Sequence, residues 1–181
     1  MDRESRDALL TKVIEAVAQD GLADRSLREI AASAGTSHRM LLYHFGSREG
    51  LLAAIVTAIE AQQRAAMTGL TGGTPVEVMT AVWQRVSSPG LRPFVRLFFE
   101  VSALASRGAT GTGQPPDALT AAWLDDAAAV AARMNLPADR ASLRLGVAVT
   151  RGLLLDLLAG APREEVDEAY DVFVRRFAGP R

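Results

Sequence analysis

Residues 26–49, SLREIAASAGTSHRMLLYHFGSRE, carry Arg28, His38, Arg39, Met40, Tyr43, His44 and Arg48 with no acid between Glu29 and Glu49. Such side chains suit contact with DNA. A guanidinium can give two parallel hydrogen bonds to a guanine, which makes Arg39 the candidate reader, and Met40 or Tyr43 can pack on a thymine methyl. Thr36, Ser37 and His38 precede them at the end of the segment that would enter a groove. His44 and Arg48 stand where phosphates would run. Ser26 and Ser37 lie at expected helix starts, whose unpaired N–H groups and macrodipole attract phosphate.

Two short helices must position these side chains. Ser26 followed by Glu29 has the spacing of a capping box, which satisfies the first N–H groups of a helix from both directions. Leu27, Ile30, Ala31 and Ala34 then repeat at helical spacing. Gly35 can adopt the left-handed conformation that ends a helix, and Thr36 or Ser37 can cap the next. The second helix is expected from about His38 to Phe45, with Leu41, Leu42 and Phe45 as its buried side. Upstream, Leu9, Leu10, Val13, Ile14 and Val17 predict an amphipathic helix stopped at Gly21, and Arg3 and Arg6 lie on an arm before it. Downstream, Ser47 caps a long helix with Leu51, Leu52, Ile55, Val56 and Ile59 on its apolar face. An αα-hairpin with a glycine turn is common in helical proteins. Flanked by these two helices, it has the layout of a helix-turn-helix unit.

Residues 6–59 resemble the DNA-binding domain and connecting helix of the TetR family of transcriptional regulators. The resemblance rests on Ile30–Gly35, which follow an IA-x-x-AG pattern, on the LYxHF-like run at Leu41–Phe45 and on the S-K/R-E-x-L segment at Ser47–Leu51. It implies that Arg28, His38, Arg39, Met40 and Tyr43 face bases, with Thr36 beside them, and that Ser26, Ser37, His44 and Arg48 face phosphates. One departure is Leu42, where the family usually has tyrosine.

Composition agrees without being diagnostic. The chain has 181 residues, 49% hydrophobic and 23% charged, and a net charge of −1, so attraction to nucleic acid must come from a local patch. There is no cysteine, which excludes disulfides and thiolate metal sites, and the two histidines lie on one expected helix without metal-ligand spacing. No metal or cofactor is expected. The N-terminus is charged from Asp2, and the longest apolar run, Leu145–Ala161, is interrupted by Arg151 and Asp156. Neither a signal peptide nor a membrane span is expected, and a cytoplasmic location is the corresponding expectation.

The expectation is an all-α chain of about nine helices. A three-helix DNA-binding domain covers residues 1–46, and a helical ligand-binding and dimerisation domain covers 47–181, with 47–70 as the connecting helix. After the break at Thr68–Pro75, helices are expected to about Ser87, over Leu91–Ser106, Asp117–Met134, Ala138–Leu158 and Arg163–Phe177, and Gly108–Pro116 is the longest loop and a candidate for disorder. The penultimate helix is apolar all round, so it needs cover on more than one side. Burial within one chain accounts for this pattern as well as a homodimer through the last two helices does; the family resemblance, and the geometry of palindromic DNA, favour the dimer. Trp83, Phe94, Phe98, Phe99 and Trp123, with Arg151 as a polar anchor, are candidates to line a mainly apolar effector pocket. Aromatic residues at helical spacing belong to a core more often than to a pocket.

The family resemblance implies a repressor, not an enzyme, whose dimer binds a palindromic operator and is released by a small molecule. The alternatives are a helical small-molecule-binding protein or enzyme tethered by a vestigial helix-turn-helix, and a purely structural dimer. The sequence has no HExxH, phosphate-binding glycine loop or cysteine nucleophile to support an enzyme.

Overall fold

The computed structural model describes residues 2–20, 25–69, 73–106, 118–136 and 138–178. Within them lie nine α-helices and no strand: α1 Asp2–Asp20, α2 Leu27–Ser33, α3 His38–Phe45, α4 Arg48–Thr68, α5 Pro75–Val86, α6 Arg92–Ser106, α7 Ala118–Arg133, α8 Arg140–Ala159 and α9 Arg163–Ala178. A 3₁₀ turn, Pro89–Leu91, leads into α6. Gly21 and the expected Gly108–Pro116 loop lie outside the described residues.

The chain forms two compact units, one of Met1–Ile59 with Arg96–Pro116, the other of Glu60–Val95 with Asp117–Arg181. The division between the units falls within α4, after Ile59. In the first unit α1 packs on α2 and α2 on α3. Val13, Ile30, Leu41, Leu51 and Ile55 are fully buried there. The segment expected as an arm is instead the first turns of α1. The reason is visible at Arg6, whose guanidinium lies 4.9 Å from the centre of the Phe45 ring and donates to the His44 carbonyl.

In the second unit α5 and α8 each pack on α9, and α7 on α8. Trp83 stacks on Tyr170 at 4.5 Å, and Val86, Val166 and Val174 complete a buried cluster. A second cluster joins Met67, Val78 and Val130. Thr74 and Glu77 form a capping box that starts α5, with Pro75 at the first helical position, where its missing N–H costs nothing. A polar clip ties the end of α5 to α9. The Trp83 indole donates to Asp167 at 2.7 Å, Arg163 donates to the other Asp167 oxygen at 2.7 Å, and Arg163 also reaches the Ser87 carbonyl and hydroxyl.

α8 has no buried residue within the chain. Ala141, Leu145, Ala148, Gly152, Leu155 and Ala159 are all exposed, and their spacing of three or four residues makes them one stripe. The apolar stripe of α9, by contrast, is covered at Val166, Tyr170 and Val174.

Candidate nucleic-acid interface

α3 is fixed at both ends by the residues whose chemistry suggested it. Ser37 caps its start by accepting from the Met40 N–H at 3.2 Å. Gly35 and Gly46 bracket it at φ +62° and +75°, where a side chain would be strained. Ser26 accepts from the Glu29 N–H, and Glu29 accepts from the Ser26 backbone at 2.8 Å, so the capping box forms. These Ser26 bonds hold the Glu29 carboxyl below its usual range. Ser26 thus spends its hydroxyl on Glu29, and a phosphate at this helix end would meet backbone N–H groups.

Leu41 and Phe45, four residues apart, turn inward and fasten α3 to its unit. The opposite side is open. Met40 is 40% exposed, Leu42 38% and Tyr43 68%, and Arg28 and Arg39 are exposed with no hydrogen bond or ion pair to other described residues. Thr36 and His38 are half-buried at the N-terminal end of the same face. Leu42 therefore corrects the expectation of a buried side chain. It lies one helical step, about 100°, from Leu41, and the inward stripe is narrow enough to exclude it.

The four expected phosphate-facing residues differ in their freedom. Arg48 is half-buried and its Nε donates to the Arg25 carbonyl at 3.3 Å, which ties the start of α4 to the entry of α2. Ser47 caps α4 by accepting from the Gly50 N–H at 3.0 Å. His44 is turned inward at one nitrogen: its Nε2 is buried without a hydrogen-bond partner among the described residues, and Tyr43 packs against its ring edge. Ser37 and Ser26 are caps at the starts of α3 and α2.

The six residues expected to line an effector pocket fall into both units. Phe98 and Phe99, in the first, meet edge to face at 5.3 Å. Trp83 and Phe94, in the second, are buried, and Trp83 belongs to the core cluster with Tyr170. Trp123 packs against both clusters and donates its indole N–H to Glu60. Arg151 donates to the Thr120 hydroxyl. Burial raises the Glu60 carboxyl above its usual range, opposed by the Trp123 hydrogen bond and by the charges of Arg151 and Arg64; burial likewise lowers Arg151, opposed by Glu60. Arg64 in turn pairs with Asp126 at 2.8 Å. Sequence reasoning missed Glu60, which lies between the apolar stripe of α4 and its polar side.

It also missed a pocket. Gln63, Ala66 and Met67 of α4 and Ala81, Val82, Arg85 and Val86 of α5 line a cavity of about 210 Å³. Gln63 is only 6% exposed and accepts from Arg85 Nε at 2.7 Å. The signal lies in the stripe Leu52, Val56, Ile59, Gln63, Met67, where glutamine is the one polar residue.

Residues 9–55 match the family model described as bacterial regulatory proteins, tetR family. No curated protein sequence matches the chain. Among solved structures, a Rhodococcus sp. protein classed with the TetR-family transcriptional regulators is 25% identical, with a TM-score of 0.73 over 97% of this chain and 99% of that one. A TetR-family transcriptional regulator from Pectobacterium atrosepticum is 19% identical, with a TM-score of 0.70 over 97% and 92%. RolR, solved in complex with resorcinol, is 14% identical, with a TM-score of 0.65 over 99% and 90%.

Proposed function

Since the chain belongs to the TetR family of bacterial regulatory proteins, we propose that it is a dimeric repressor that binds a palindromic operator through α3 and leaves it when a small effector binds the second unit. The observation that carries the reading is the open face of α3, with Arg39, Met40, Leu42 and Tyr43 on a helix capped at both ends and no acid on it. Arg39 and Arg28 supply donors to base edges, Met40 and Tyr43 supply apolar and aromatic contacts, and Thr36 and His38 add polar contacts at the N-terminal end. Leu42 replaces a phenol with an apolar group, which suits a thymine methyl or a sugar rather than a phosphate. The phosphate contacts fall to the α2 and α3 N-termini, with Ser26 and Ser37, and to Arg48, while His44 supports the reading helix from within.

The dimer forms through the last two helices, with the α8 stripe of small residues and leucines at its centre. A two-fold pair of reading heads then matches a palindrome, with half-sites about one helical turn or a multiple apart. α4 transmits the signal. It runs unbroken from Arg48, bonded to the α2 entry, to Thr68, and carries Glu60, Gln63, Arg64 and Met67 on the way. An effector that binds the DNA-incompetent arrangement more tightly shifts the population by the ratio of its two affinities. That one relative of the same fold was solved with resorcinol supports an effector of small size. Among the described residues no helix is long and apolar enough to cross a membrane.

Selection of bound fragments from random DNA tests the reading. A palindrome is expected, with affinity that falls steeply with salt; binding indifferent to sequence or to salt refutes it. On the selected site, Arg39→Ala should relax one base position at a cost of about 1–3 kcal/mol.

A further inference from the structure

The cavity between α4 and α5 has a built-in chemistry. Its floor is fixed, because Met67 and Val82 belong to one core cluster and Val86 to the other. Ala66 and Ala81 contribute only methyl groups, which is what leaves the space open. A cavity of about 210 Å³ exceeds the roughly 150 Å³ apolar void that accommodates benzene, so it has room for one six-membered ring and a small substituent.

The polar groups are all donors. Arginine has no acceptor, so the Gln63 oxygen must face Arg85 Nε, and the Gln63 amide nitrogen is turned the other way. That nitrogen makes no hydrogen bond to the described residues and is not one of the fully buried atoms, although Gln63 as a residue is only 6% exposed, so it is free to meet a ligand. Arg85 is exposed and makes that one hydrogen bond through Nε, which leaves its two Nη groups without a partner among the described residues. No acid lines the cavity. The neighbouring charges on α4 are directed elsewhere, Glu60 to Trp123 and Arg64 to Asp126.

We propose that this cavity binds a monocarboxylate with a single ring, its ring on Ala66, Met67, Ala81, Val82 and Val86 and its carboxylate on Arg85 and the Gln63 amide, and that this molecule is the effector. An acceptor-only head group matches a donor-only rim. A neutral amide has one acceptor oxygen for two donors and would place its NH2 against Arg85 or the Gln63 amide, and a cation would be repelled by Arg85. The effector role rests on the regulator reading above; the site does not. Since Gln63 and Met67 lie on α4, the ligand would bear directly on the helix that starts at the reading head.

The probe is benzoate, titrated calorimetrically into the full chain, with benzamide and benzylamine as controls. Benzoate should bind, benzamide should bind at least tenfold more weakly, and benzylamine should not bind. Arg85→Gln, an exposed position whose loss leaves the core intact, should weaken benzoate roughly ten- to hundredfold. Ala81→Leu fills the cavity and should abolish binding, with an unchanged or raised melting temperature as proof of folding. Absence of benzoate binding up to millimolar concentration overturns the site, as does equal affinity in Arg85→Gln or equal affinity for benzamide. In the DNA arm, benzoate should release the selected palindrome from the wild type but not from Arg85→Gln. Benzoate bound without any change in DNA affinity overturns the effector role. A chain that binds benzoate but no palindrome refutes the regulator reading and leaves the site standing.

Discussion

The α8 stripe gives a dimer prediction whose size can be worked out. Leu145 is 56% exposed and Leu155 50% exposed in the single chain. Full burial of a leucine side chain stabilises by about 1.5–3 kcal/mol, so burying the remaining half yields about 1 kcal/mol each. A two-fold interface contains each leucine twice, and alanine keeps part of the apolar area. Leu145→Ala with Leu155→Ala should therefore cost the dimer about 3 kcal/mol, or roughly two orders of magnitude in its dissociation constant. The same change should leave the isolated subunit intact, since both side chains project from it and alanine is the best helix former. Sedimentation equilibrium over a range of concentrations reads the association, and far-ultraviolet circular dichroism reads the fold. A wild type that sediments as a monomer at micromolar concentration refutes the reasoning. So does a double variant whose dissociation constant matches the wild type, because the stripe would then not be the covered surface.

Asp167→Ala should destabilise the second unit by about 2 kcal/mol in urea unfolding, since it orphans the indole N–H of Trp83, which is 3% exposed; the Arg163 pair, with both partners about 40% exposed, adds little. A loss below about 0.5 kcal/mol would show the clip to be idle. Burial pushes the Tyr170 phenol from 10.0 up to about 12, so in Tyr43→Phe, where Tyr170 is the only tyrosine left, phenolate absorbance should appear near 12. The folded state then holds its proton where the unfolded state has lost it, so stability should fall as pH rises from 10 towards 12; titration at 10 contradicts the burial.

The reading head was legible because its signals are local. The Ser26–Glu29 capping box, the Gly35 turn and the Leu41–Phe45 pair all act within five residues, and they give α3 its observed bounds. Leu42 was not legible. In a helix of eight residues three apolar side chains fit a buried side equally well, and which of them is covered depends on α1 and α2. Trp83 was ambiguous for a similar reason. Its core role rests on a stack with Tyr170 and a hydrogen bond to Asp167, 84 positions away. No periodicity reports such a contact.

The α8 stripe and the α4–α5 cavity leave opposite traces in the sequence. The α8 stripe could be anticipated because an apolar helix needs cover all round, and that demand is written in one element. A pocket exists where two helices fail to fill the space between them, so its trace is small residues, Ala66 and Ala81, beside a polar residue on a buried stripe, Gln63. Bulky aromatic residues such as Trp83 and Phe94 are natural candidates to line an effector site, yet large rings close space, and both are buried. In a helical unit built this way, a ligand site is better sought where small residues of two helices line one space beside an amide whose N–H is left free.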